Sequence, residues 1–186
     1  MRRMRFKEFL TGFLMGALVL SLGWASSLLL SPTVHQQACI ENAIAIFSPP
    51  AERELVEALG SARESIDAEL FEFSSLALKQ ALVKAAGKGV KVRVLLEPRV
   101  DYNIQTASYL KAHGISVKWA SREFAYTHSK FAVLDGKKLL VGSINWSRSA
   151  LTKNREAEVL VESISLAKRF LQVFEDDWKK GSEVTG

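Results

Sequence analysis

The stretch THSKFAVLDGKKLLVGSINWS, Thr127–Ser147, decides how this chain is read. Two apolar arms, Lys130–Leu134 and Lys138–Gly142, flank Asp135-Gly136, a strong two-residue hairpin turn. Side chains alternate along a strand, so His128 and Lys130 share a face, and Ser143 and Asn145 share one if the second arm continues. Folding the arms together gathers an imidazole, an ammonium, a hydroxyl and an amide at one end of a sheet. By parity Asp135 falls in the turn or on the opposite face. A hairpin needs none of these polar groups for its own stability, so their placement points to chemistry.

Outward from the hairpin, periodicity alternates between two and 3.6. Strands are expected at Ala43–Phe47, Ser65–Phe73, Val90–Glu97, Ile115–Ala120 and Glu156–Glu162. Helices are expected at Ala51–Arg63, Leu76–Ala86, Asn103–His113 and Leu166–Trp178. Gly87, Gly89 and Gly114 supply helix stops. This order predicts an α/β domain, a mixed central β-sheet with helices on both faces, over residues 41–182. Phe71, Phe73, Phe131, Phe170, Phe174 and Trp178 are expected in its core, and Trp146 in the core or at its rim.

Residues 1–8 carry Arg2, Arg3, Arg5 and Lys7 against Glu8. The other 21 basic and 19 acidic residues nearly balance, so the net charge of +5 is largely a property of the tail. It says little about a polyanionic partner. Phe9–Leu30 is 22 mostly apolar residues, without charge. That length suits an uncleaved transmembrane helix better than the shorter apolar core of a signal peptide. The competing reading is a cleavable signal ending near Gly23–Ser27. Basic residues before the span keep the N-terminus cytoplasmic and export the domain, through a linker at 31–40, to the periplasmic or extracellular side. A cleaved chain would be secreted. The one cysteine, Cys39, excludes an intrachain disulfide and, with three scattered histidines, a zinc site.

Lysine, serine and asparagine are donors suited to phosphoryl oxygens. Histidine attacks phosphorus or moves a proton near neutral pH, provided an acceptor orients its other nitrogen. Glu156, at the head of the last long strand, is a candidate acceptor. The run His128-x-Lys130-x4-Asp135-x6-Gly142-Ser143-x-Asn145, with Asn154-x-Glu156 downstream, resembles the signature of the phospholipase D superfamily. The resemblance covers about residues 40–180. It departs at Glu97, where Asp is commoner, and at Ala157, where many members carry Asn.

The resemblance implies that His128 is a nucleophile forming a phosphohistidine, that Lys130, Ser143 and Asn145 bind phosphoryl oxygens, and that Glu156 holds the His128 ring. Asp135, included in the catalytic set, is implied to be structural or orienting. No metal or cofactor is implied. Family sites use two such motifs and this chain has one, so a homodimer sharing its site across a two-fold is expected. Arg99, Arg122, Arg148 and Lys153 are candidates for an anionic substrate track. Small single-motif members include bacterial endonucleases and a mitochondrial-surface enzyme. The expected activity is therefore a metal-independent phosphodiesterase, first an endonuclease on DNA or RNA. The alternatives are a phospholipase D or cardiolipin hydrolase acting on membrane lipid, and a non-catalytic module that binds nucleic acid or a partner.

Overall fold

The computed structural model describes residues 40–185. The expected membrane span at 9–30, most of the linker and Cys39 lie outside the described residues. Among the described residues no helix is long and apolar enough to cross a membrane.

Thirteen elements are seen among the described residues: β1 (Asn42–Ser48), α1 (Glu52–Gly60), β2 (Ser65–Leu70), α2 (Leu76–Ala86), β3 (Lys91–Leu96), α3 (Tyr102–Ala112), β4 (Ser116–Trp119), β5 (Lys130–Leu134), β6 (Lys138–Gly142), α4 (Arg148–Thr152), β7 (Glu156–Glu162), α5 (Ile164–Lys180) and β8 (Ser182–Glu183). The strands form one sheet in the order β1-β7-β6-β5-β2-β3-β4-β8. Only β2–β3 and β3–β4 are parallel, because each is linked by a crossover helix. The remaining pairs are antiparallel.

Strand parity sorts the core into two layers. Ile66, Ala68 and Leu70 of β2 and Ala132 and Leu134 of β5 pack with Leu55 and Leu59 of α1, Leu78 and Leu82 of α2, and Leu110 of α3. On the other face Leu95, Phe131, Val133 and Leu139 meet Ala167 and Phe174 of α5. The expected mixed sheet with helices on both faces is the observed one. Ser75 and Ser163 start α2 and α5 by accepting the N–H groups of Leu78 and Leu166.

The expected strand Ser65–Phe73 stops at Leu70. Beyond it the chain turns off the ladder, and Asn103, fully buried, takes over its hydrogen bonds. Its amide donates to the carbonyls of Phe71 and Glu97 and accepts from Phe73 N–H at 2.9 Å. The short elements α4 and β8 escaped the sequence reading because five and two residues carry too little periodicity.

Candidate active site

The β5–β6 turn has φ of +54° at Asp135 and +63° at Gly136, the left-handed pair that a two-residue hairpin requires. Asp135 does not join the other motif residues. Its carboxylate accepts the N–H groups of Arg63, Glu64 (2.7 Å) and Ser65, tying the hairpin tip to the start of β2. It lies at the opposite end of β5 from Lys130, so its place in the catalytic set is corrected to a structural one. Burial pushes its carboxyl up, but the three N–H groups outweigh this and hold it below its usual value.

At the other end of β5 the expected residues converge. Lys130 is 8% exposed, and its ammonium reaches Nδ1 of His128 at 2.9 Å and the His128 carbonyl at 2.8 Å. Burial lowers the Lys130 pKa, and the carboxyls of Glu156, Glu158 and Glu72 offset part of that. His128 is exposed, with its ring 4.0 Å from that of Phe71 and tilted by 38°. Lys130 also lies over Phe71, 5.1 Å from its centroid. Phe71 was expected in the core. The end of β2 turns it instead into a wall of the site.

Glu156 accepts a 2.5 Å hydrogen bond from Ser143 and one of 3.2 Å from the Asn154 amide. The group on the His128 ring is Lys130 rather than Glu156. Ser48, fully buried, fixes this corner by donating to the Asn154 carbonyl and accepting from Glu156 N–H. Ser143 Oγ also accepts from Ala157 N–H, which holds the hydroxyl over β7. Asn145 has a buried Oδ1 with no hydrogen-bond partner. Trp146 is fully buried, edge-on to Phe73 at 5.1 Å, and belongs to the core.

Of the candidate track, Arg99 is engaged. Glu97, fully buried, accepts from its backbone and guanidinium, and from Thr127 N–H at 2.8 Å. Glu97 thereby fixes the segment that delivers His128. Arg122, Arg148 and Lys153 are exposed, as are Phe124 and Tyr126, whose ring is edge-on to Phe71. Among the described residues no group of three or more His, Cys, Asp and Glu side chains could hold a metal ion. Clefts of about 320 Å³ between α1 and α2 and about 590 Å³ beside β4 and β8 lie away from the site.

Sequence reasoning missed Glu158, 1% exposed and on the same face of β7 as Glu156. Its signal was the alternation in Glu156-Ala157-Glu158, which puts both carboxyls on one face. Ser48 and Asn103 carried no signal, since each acts through contacts distant in sequence.

Fold and hairpin together define an α/β domain with a histidine–lysine pair at one sheet end. The chain belongs to the family described as cardiolipin synthase, PLD-like domain, which matches residues 55–178. It is 36% identical over 128 residues to the mitochondrial cardiolipin hydrolase of Danio rerio, covering 67% of this chain and 56% of that protein. A phospholipase D of Rickettsia prowazekii is 31% identical over 134 residues, 70% of this chain and 65% of that one. The chain spans somewhat more than half the length of these relatives. Nuc of Salmonella typhimurium, a phospholipase D family member, superposes with a TM-score of 0.74 at 28% identity, over 78% of this chain and 99% of Nuc. The resemblance read from the hairpin is borne out.

Proposed function

We propose that this protein hydrolyses phosphodiester bonds through a phosphohistidine on His128, without a metal ion, and that its substrate is DNA or RNA. The observation that carries the reading is the His128–Lys130 pair at 2.9 Å, beside the Ser143–Glu156 pair at 2.5 Å.

Attack through Nε2 requires the ring proton on Nδ1 and an acceptor for it. An ammonium is no acceptor, so the resting contact must break. The anionic oxygens of an arriving diester draw Lys130 off the ring; the exposed imidazole then gives up its Nε2 proton to water and takes one from water on Nδ1, and Nδ1–H turns to Glu156. Nε2 then attacks phosphorus. A P–N bond forms, the P–O bond to the leaving group breaks, and the leaving oxygen takes a proton from His128 of the partner subunit. Water, losing a proton to that same imidazole, cleaves the P–N bond and releases the phosphomonoester. Lys130, Ser143 and the Asn145 amide bind the non-bridging oxygens. A chain with one motif supplies one histidine, which is why a homodimer completes the site. Exposed Phe124 and Tyr126 and the cations Arg122, Arg148 and Lys153 suit stacked bases and phosphates.

Membrane phospholipid is the second reading. The apolar stretch 9–30, which would tether the domain at a bilayer on its outer side, favours it, as does the name of the Danio rerio relative. The test incubates full-length protein in detergent and EDTA with single-stranded DNA, duplex DNA, RNA and cardiolipin vesicles, with His128→Ala in parallel. Nucleic-acid cleavage, lost by ~10³-fold or more in His128→Ala, is expected. Lipid cleavage alone would replace the first reading with the second. Equal behaviour of the two proteins everywhere would leave a binding module.

A further inference from the structure

Strand register builds an arrangement around Gly142 that the reaction above does not use. In β6–β7, Gly142 pairs with Glu158, and in β1–β7, Glu158 pairs with Ile46. The β5–β6 register runs from Leu134↔Lys138 to Phe131↔Val141, and one further step sets Lys130 beside Gly142. Lys130 and Glu158 therefore flank a residue without a side chain, on the same face of the sheet. A Cβ on Gly142 would lie 2.6 Å from Glu158 Oε2 and would also clash with the Ala157 carbonyl oxygen. Across Gly142 a carboxyl and an ammonium on alternate strands share a face with no side chain between them, near enough for each to act on the other's charge.

Glu158 is 1% exposed. Its Oε2 accepts from Ile144 N–H at 3.3 Å, inside the segment that carries Ser143 and Asn145, and its Oε1 is buried with no partner. Next to Ile144, Asn145 Oδ1 is likewise buried and unpartnered. Both orphans are acceptors, and a proton on Glu158 would relieve its own carboxyl of a buried charge that Oε1 has no donor to offset. The charged groups reaching Glu158 are Lys130 from β5 and Glu156 from its own strand, while Glu72 acts on Lys130. Its neighbours across β6 and β1, Gly142 and Ile46, carry no charge.

We propose that Glu158 is a positioning residue: as a neutral acid it holds the Ser143–Asn145 segment through Ile144 and leaves Lys130 free for a phosphoryl group, and as a carboxylate it captures Lys130. This rests on the reading of the hairpin end as a phosphoryl site. Burial pushes the Glu158 carboxyl up to about 8, against the pull of Ile144 N–H and Lys130. The anion site is therefore open at neutral pH and closes as pH rises. The Lys130 charge is spent on the phosphoryl group in one state and on Glu158 in the other.

The test uses full-length protein and two probes, inorganic phosphate for binding and bis(p-nitrophenyl) phosphate for turnover, between pH 6 and 10. In the wild type, phosphate affinity and kcat/KM are expected to fall together about tenfold per pH unit above a midpoint near 8. In Glu158→Gln, which keeps the shape and cannot ionise, that decline is expected to start at least about one unit higher. Superimposable profiles would overturn the proposal. A second measurement needs no variant: the Glu158 carboxyl carbon, followed by NMR, is expected to titrate above pH 7, and an ordinary value near 4.5 would overturn the proposal equally. Phosphate binding and NMR do not require turnover. A protein that cleaves no diester yet shows both shifts would sink the proposed reaction and leave the role of Glu158 standing.

Discussion

At the residue scale, Asp135 and Glu158 show one carboxyl chemistry placed in opposite environments. Asp135 sits in a turn among three backbone N–H groups, which stabilise its charge. Glu158 sits in the sheet with one long N–H contact, and burial disfavours its charge. Asp135→Ala leaves those donors unpaired and places a Cβ residue without side-chain capping at positive φ. It is expected to cost about 2 kcal/mol in urea unfolding, with Asp135→Asn retaining part of this. The folded pKa of Asp135 lies below 3.8, so its contribution is present above that value and is lost as pH falls through the lower one. The stability difference between wild type and Asp135→Asn should therefore shrink in acid. A difference constant down to pH 2 would contradict this account.

At the element scale, the pairing of β2 with α5 buries another carboxyl. Glu69 points toward the α5 face, is 2% exposed, and has an Oε2 without a partner. Burial pushes it up to about 7; Ser129 lowers it and Asp177 on α5 raises it. A raised folded pKa stabilises fully below the unfolded value of 4.5, and that stability is lost as pH rises through about 7. The loss by pH 8 is about 3 kcal/mol. Glu69→Gln is expected to remove the Glu69 share of this slope, so that its Tm falls less between pH 5 and 8 than the wild type's, the remaining fall coming from Glu158. Parallel Tm curves would show that the Glu69 carboxyl is not the group responsible.

At the scale of the whole molecule, the proposed reaction needs a second histidine, which a partner subunit would supply. In a shared-site dimer, a subunit carrying His128→Ala disables any wild-type subunit it pairs with. Mixing wild type with a ~10-fold excess of His128→Ala, after subunit exchange, is expected to reduce activity per wild-type subunit by about tenfold. Unchanged activity per wild-type subunit would mean that each chain works alone, and the dimer would be discarded.

The sequence by itself determined the hairpin, its Asp-Gly turn, the α/β layering and the shared face of His128 and Lys130. Each of these depends on local spacing, since period-two alternation and a two-residue turn are properties of neighbours along the chain. The family was legible for the same reason, because its motif is a spacing. Tertiary structure decided what joins across strands. Only sheet register places Glu158 opposite Gly142 and brings Lys130 to its other side. Only the end of β2 turns Phe71 onto His128, and only buried Ser48 and Asn103 fix the loops around the site. The partner of Glu156 was likewise a tertiary matter, since Ser143, 13 residues away, reaches it through the β6–β7 ladder. Contacts between residues far apart in the chain follow from which strands are neighbours, and strand order is settled by burial of the whole sheet between its helices.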